Sequence, residues 1–405
     1  MLMPLFDSLT EVSQQTTLPF PVDIAFAAKD FQYALNFLIS YKGSKATFNS
    51  YRREVERLLQ WAWWIQKKSI IALRRADIEA YLEFCLKPPK TWIGVKKVPR
   101  FIVKDGLRQS NPLWRPFVAT VSKSAHRSGK EPRIDDYQMS STAFKEIFSI
   151  LSSFYSFLMM EEITELNPVA QIRQKSKFLR RQQGPSRIRR LTDLQWQTVI
   201  ETAERMATAN PELHERTLFI MTALYAMYLR ISELAASERW TPKMCDFYKD
   251  QENRWWFITV GKGNKERQIA VSDSMLQALK RYREHLNLSA LPSPADTSPL
   301  LPKSKGHGPI TSTTYIREIV QQCFDRAIEQ LRTDYHEEDA DMLMEATVHW
   351  LRHTGISDDV KRRPREHVRD DAGHSSGAIT DRYIDVELRA RHASARKKLI
   401  KNSKV

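Results

Sequence analysis

The reading of this chain turns on H-W-L-R-H-T, His349 to Thr354, followed after a polar bridge by A-G-H-S-S-G-A-I-T-D-R-Y, Ala372 to Tyr383. His349, Arg352 and His353 stand at i, i+3 and i+4, so a helix through them presents all three on one face. His374 follows a glycine, and Tyr383 comes nine residues after it. Imidazoles, a guanidinium and a phenol together supply the donors, acceptors and nucleophile that attack on a phosphodiester needs. A free phenol has a pKa of about 10 and attacks poorly unless cations surround it. The rival use of this spacing is a zinc half-site, because His-x-x-x-His on a helix is a common ligand pair. Arg352 between the imidazoles would repel a cation, and Trp350 stands where H-E-x-x-H needs its glutamate. The expectation is phosphate, with no metal and no cofactor.

Upstream, the nearly all-apolar run Leu213 to Met227 reads as a deeply buried helix and delivers Y-L-R-I-S-E-L, Tyr228 to Leu234. Arg230 therefore falls at the edge of a core, where a guanidinium needs an anionic partner. Glu233, three residues on, is placed to orient it. R-W-W-F-I-T-V and Q-I-A-V flank G-K-G-N-K-E-R, Gly261 to Arg267, and β-rich residues around a glycine-bearing tip read as a hairpin. Lys262 has two readings: a solvated turn, or a mobile proton donor to a leaving oxygen. Lys265 is the fallback donor, and Lys265 and Arg267 are candidate DNA contacts. Thr192 to Gln195, T-D-L-Q, has the form of a capping box and opens this domain. Helices are expected at 275–286 and 313–331, a solvated acidic patch at 334–341, and a basic helix or tail at 386–405.

The 63 Lys and Arg outnumber the 48 Asp and Glu, for a net charge of +15 spread along the chain. Such basicity fits anionic membranes, acidic partners or nucleic acid, and its even spread favours a protein that wraps a nucleic acid. The longest apolar stretch, Ile147 to Met160, is short and interrupted by serines, so it reads as a buried helix and not a membrane span. The N-terminus lacks the basic start and apolar run of a signal peptide. Cys85, Cys245 and Cys323 are odd in number and widely spaced, which reads as buried free thiols in a reducing cytosol.

The first half carries four helical patterns, near 30–41, 44–63, 76–86 and 141–161, which predict a small helical domain over 25–166 after a mobile leader at 1–24. Arg52 and Arg53 lie off the apolar stripe of the second helix and are candidate DNA contacts. Between the third and fourth helices lies a basic, proline-broken insert, 87–137, with Trp92, Phe101, Trp114 and Phe117 interleaved. A loop of that length is usually functional or disordered. Lys96 and Lys97 are its candidate DNA contacts, and 98–103 has the makings of a short strand. Asn167-Pro168 ends the fourth helix. A linker at 167–190 follows, dense in Arg and Lys. Arg180 and Arg181 either track phosphates or belong to a plain solvated tether.

In chain order the set is Arg, Lys in a hairpin, His-x-x-Arg, Gly-His, Tyr. That order resembles the tyrosine recombinase (phage integrase) family over about 191–386. Y-L-R-I-S-E-L resembles its first-arginine motif, G-K-G-N-K-E-R its lysine hairpin, and the two quoted boxes its second-arginine and nucleophile motifs. The helical domain is similar to the family's core-binding domain. Tyr228 stands where the family usually has Gly, Ala372 where it usually has Leu, and the bridge 361–369 is unusually polar. The resemblance implies a mainly α fold with a small antiparallel sheet and a catalytic domain at 191–385. It also implies Arg230, Lys262, His349, Arg352, His374 and Tyr383 as the catalytic set. It implies cleavage and rejoining of double-stranded DNA through a 3′-phosphotyrosyl link and a four-way junction. The enzyme would be a monomer or weak dimer when free and a homotetramer on DNA, its tail docked into a neighbour. Mobile-element integration is the expected setting, an accessory DNA-bending or directionality factor a further candidate partner, and no membrane is involved. The rivals are a catalytically silent DNA-binding factor, a type IB topoisomerase-like enzyme and a metal-dependent nuclease.

Overall fold

The computed structural model of the protein describes residues 2–41, 43–173, 189–261, 263–381, 383 and 395–396. The chain divides into two compact units, Met1–Gly184 and Pro185–Val405. No described helix is long and apolar enough to cross a membrane.

In the first unit, α1 (Ala27–Ser40), α2 (Lys45–Trp61) and α3 (Arg75–Leu86) precede β1 (Ile93–Gly94), β2 (Phe101–Lys104), β3 (Leu107–Ser110) and β4 (Phe117–Val118), then α4 (Lys123–Arg127), α5 (Ser141–Met160) and α6 (Ala170–Arg173). Ser44 and Ser140 cap α2 and α5 by accepting from Thr47 N and Ala143 N. The expected stripes point inward: Phe48, Val55 and Leu58 of α2, Ile78, Tyr81 and Cys85 of α3, and Phe144, Phe148 and Phe154 of α5 are buried. Two expectations are corrected. The leader is not a loose tail: Leu5, Phe6 and Val12 are buried, which stabilises the unit by roughly 2 kcal/mol for each large side chain. The buried Glu56 carboxylate holds it there, accepting from Leu5 N at 2.7 Å and from Phe6 N at 3.3 Å. The insert is not structureless either. β1 pairs with β4 in parallel, β2 with β3 antiparallel, and Trp92, Trp114 and Phe117 are buried core residues.

The second unit runs α7 (Asp193–Ala209), α8 (Pro211–Ala226), α9 (Ile231–Leu234), then β5 (Phe247–Lys249), β6 (Trp255–Val260) and β7 (Glu266–Ala270). It continues with α10 (Asp273–His285), α11 (Thr313–Thr333), α12 (Glu337–Met344), α13 (Val348–Asp359), α14 (Arg365–Ala372) and α15 (Gly377–Asp381). The capping box is present: Thr192 accepts from Gln195 N, and Gln195 accepts from Thr192 N. Helix α8 starts with Asn210 as cap and Pro211 in its first turn, where a missing N–H costs nothing. It is buried against α7, α10 and α13. Gly355 lets α13 approach α8, since a Cβ there would lie 2.1 Å from the Tyr225 carbonyl oxygen. The sheet is antiparallel in the order β5-β6-β7, one strand more than the expected hairpin. Two helices lie where no helix was expected: the acidic patch is largely α12, and the polar bridge contains the start of α14. Cys85 and Cys323 are buried thiols, whereas Cys245 is half-buried.

Candidate active site

Helix α8 ends at Ala226 with Met227 as its C-cap, and the chain reverses at Tyr228 with φ +50°, a left-handed conformation that a bulky residue seldom adopts. The left-handed backbone here is one that a glycine adopts without strain. Arg230 follows as the N-cap of α9, and its backbone N–H donates to Glu233 at 2.8 Å. The Arg230 guanidinium donates to the other Glu233 oxygen at 2.9 Å and remains partly exposed. Glu233 is 1% exposed and also receives both η nitrogens of Arg267, at 2.6 and 2.8 Å. Burial pushes its carboxyl pKa up, but Arg267 and Arg230 outweigh that and hold it below the ordinary value. Gly261 at the end of β6 leaves room for this cluster, because a Cβ would come within 3.2 Å of both Arg267 and Glu233.

Arg352 on α13 is 2% exposed. It is held by two backbone carbonyls, donating to Tyr228 O and, at 2.6 Å, to Ala372 O. Burial, then Arg230 and Arg267, lower its pKa to about 9. The same causes act on the imidazoles. His353 is lowered to about 4 by burial, His349, Arg352 and His374, and His374 to about 4 by burial, Arg352, Arg230 and Arg267. His349, exposed at the rim, is lowered by desolvation and by Arg352 and Arg230. His374 is fixed by a 2.9 Å contact between Nδ1 and Thr380 Oγ1. Two guanidiniums therefore share the Glu233 carboxylate while a third, Arg352, is held by carbonyls alone, and such an excess of positive charge suits an anionic ligand.

Tyr383 is 8% exposed. Its hydroxyl lies 2.5 Å from His353 Nδ1, and its ring stacks at 5.6 Å on His374. Its ring packs in an apolar cluster with Tyr228, Ile356, Val368 and Ala372. Arg230, His349, Arg352, His374 and Tyr383 line one cleft of about 680 Å³ together with Lys265 and Arg267. Of the six expected catalytic residues, five thus converge, and Lys262 lies outside the described residues. His353, which shared a helix face with His349 in the sequence, is the residue that touches the phenol and was not assigned to the set.

The candidate DNA contacts divide. Arg267 lines the cleft with its η nitrogens on Glu233 and its Nε on Asp371 O at 3.0 Å. In the first unit Arg52 is tied to Asp7 O and Asn49, and Arg53 to Glu54 and Glu146. Lys96, Lys97 and Lys265 are exposed. Arg180, Arg181 and the expected tail at 386–405 lie outside the described residues, apart from 395–396.

Residues 189–389 match the model of the phage integrase family. The chain belongs to that family. Among its relatives in the family, tyrosine recombinase XerC of Bacillus licheniformis is 23% identical over 218 residues, 54% of this chain and 63% of its own length. XerC of Alcanivorax borkumensis is 28% identical over 166 residues, 40% of this chain and 45% of its own length. The aligned stretches therefore span less than two thirds of these relatives. Among solved structures, XerH site-specific recombinase bound to palindromic difH substrate covers 96% of this phage integrase family chain and 92% of its own, at 13% identity and a TM-score of 0.52. A lambda integrase dimer bound to a COC′ core site covers 88% and 94%, at 14% identity and a TM-score of 0.50. These likenesses show the mainly helical fold with its small sheet.

Proposed function

We propose that this phage integrase family member is a site-specific DNA recombinase that cleaves and rejoins duplex DNA through Tyr383. The observation that carries the reading is the convergence of the Tyr383 hydroxyl, two imidazoles and a cation-rich wall in one cleft. Tyr383 Oη attacks the scissile phosphorus, the bond from phosphorus to the 5′-oxygen breaks, and a 3′-phosphotyrosyl link with a free 5′-hydroxyl results. His353 accepts the phenol proton: it lies 2.5 Å away and its depressed pKa keeps it neutral at pH 7. His349 then serves with His374 as a hydrogen-bond donor to the phosphate. Arg230 and Arg352 stabilise the charge that develops on the non-bridging oxygens. Lys262, with Lys265 as the fallback, protonates the departing 5′-oxygen. Rejoining reverses these steps with a 5′-hydroxyl from the partner strand, and two rounds in a homotetramer pass through a four-way junction. The phosphodiester energy stays in the covalent link, so neither ATP nor metal is consumed.

The test is incubation with a nicked suicide duplex in which the cleaved fragment diffuses away. A covalent protein–DNA adduct that withstands EDTA and is lost in Tyr383→Phe is expected. No adduct, or one that survives that substitution, overturns the reading in favour of a silent DNA-binding factor or a different nucleophile. Junctions between two labelled duplexes distinguish recombination from topoisomerase-like relaxation.

A further inference from the structure

Arg352 is gripped by two carbonyl oxygens, one from Tyr228 and one from Ala372, residues far apart in the chain. A relay of side chains runs between these two points. The Tyr228 hydroxyl bonds the Asp359 carboxylate and accepts from Arg363 Nη1 at 2.9 Å. Arg363 Nη2 donates to Asp371 Oδ2 at 2.5 Å, and Asp371 precedes Ala372. The other Asp371 oxygen accepts from Ala270 N at 3.2 Å on β7, and the Asp371 carbonyl accepts from Arg267. The two ends of the relay are buried, Tyr228 fully and Asp371 to 5% exposure, while the Arg363 side chain between them is 31% exposed. Tyr228 holds its left-handed backbone at a cost of order 1 kcal/mol or more, and such a conformation persists only where surrounding contacts determine it. Those contacts are the phenol's partners on α13 and in the turn before α14.

We infer that Tyr228, Arg363 and Asp371 form a positioning relay that fixes the spacing of the two carbonyls holding Arg352, and so aims its guanidinium at the scissile phosphate. The inference rests on the recombinase reading for its kinetic consequence but not for its structural one. The polar bridge of the sequence then has a structural use. It supplies, through Arg363 and Asp371, the restraint that a tyrosine at position 228 makes possible and a glycine would not. None of the three side chains touches the reacting atoms, and Arg352 is the catalytic group that both ends of the relay hold.

The test compares the parent with Tyr228→Phe, Arg363→Ala and their double variant in the full chain. Each variant is assayed for single-turnover cleavage of the suicide duplex at saturating protein, for duplex affinity, and for thermal midpoint. Each single change is expected to slow cleavage by about tenfold or more, as small misplacements of a catalytic group do, while affinity stays within about threefold. The double variant is expected to be no slower than the slower single, because both changes break one relay. Additive losses, unchanged cleavage, or affinity and rate falling together would overturn the relay. Tyr228→Gly covers a folding failure of Tyr228→Phe: it accepts the backbone conformation yet removes the phenol, so it too must cleave slowly. A readout without DNA separates this inference from the recombinase reading. Side-chain ¹⁵N NMR of the free protein should show slowly exchanging Arg352 Nη protons in the parent and at least tenfold faster exchange in Arg363→Ala. If the parent forms no adduct but this contrast appears, the recombinase reading fails and the relay stands; equal exchange refutes the relay.

Discussion

Replacing Glu233 by Gln tests the electrostatic frame of the cleft. The carboxylate accepts four hydrogen bonds, two from Arg267, one from the Arg230 guanidinium and one from the Arg230 backbone, at 2.6 to 2.9 Å. A glutamine retains one acceptor oxygen, turns an NH₂ donor toward guanidinium donors, and leaves the guanidiniums of Arg230 and Arg267 without their counter-charge. Breaking a buried pair by removing one partner costs about 3–5 kcal/mol. The partial exposure of Arg230 puts the expectation at the low end, about 3 kcal/mol. For a unit of this size that corresponds to a fall of about 6–12 °C in thermal midpoint. Urea unfolding with hydrogen exchange read at α8, which lies in the core of the same unit, measures the loss without interference from the first unit. The pH dependence supplies a second check. Glu233 has a folded pKa below its ordinary value, so its contribution is full above about pH 4.3 and is lost as pH falls through the lower folded value. The gap between parent and variant should therefore close on acidification. A gap below about 1 kcal/mol at pH 7, or one indifferent to acid, would refute the reasoning.

Gly355→Ala should destabilise the second unit by about 1–3 kcal/mol in denaturant titration, because its Cβ meets the Tyr225 carbonyl and α8 and α13 must part. In the DNA-free protein, NMR titration of the His353 and His374 imidazoles should show both protonating near pH 4, well below the ordinary 6.5. Since the folded values are the lower ones, these groups add stability above pH 6.5 that declines as pH falls toward 4. Binding of a duplex should raise the His374 value as phosphate approaches. Changing Lys96, Lys97 and Lys104 together to Ala should lower the slope of log affinity against log salt by up to about 3, with cleavage at saturating protein unchanged. An unchanged slope removes these exposed lysines from the DNA interface.

The residue types of the site were legible because the chemistry restricts them. A nucleophilic phenol needs cations, and cations of the right kind stood in the right order along the chain. Their supports were not legible. Arg352 is held by carbonyl oxygens, which every residue possesses, so nothing in the sequence marks Tyr228 and Ala372 as its acceptors. The contact of His353 with Tyr383 was half visible in the i, i+4 spacing that puts it beside His349, but the approach of α15 that brings the phenol to it is a tertiary fact. The leader misled for a related reason. Its lack of periodicity reflects the absence of a long helix, while its burial depends on Glu56, fifty residues away in sequence, accepting its backbone N–H groups. Helix α14 was hidden by composition, since an eight-residue segment rich in charge carries too few apolar positions for a pattern.

The choice of carbonyls around Arg352 has a chemical consequence of its own. A carboxylate in place of Tyr228 O or Ala372 O would hold the guanidinium as firmly, but it would neutralise it. Carbonyl dipoles orient the group and leave its full charge to act on a ligand. The single carboxylate in the cluster sits instead behind Arg230, where Arg267 already competes for it. The cluster therefore keeps a net positive charge beside a hydroxyl whose proton has a neutral imidazole to go to. A ligand with one concentrated negative charge that grows during reaction gains most from that arrangement, and a phosphodiester under attack by Tyr383 is such a ligand.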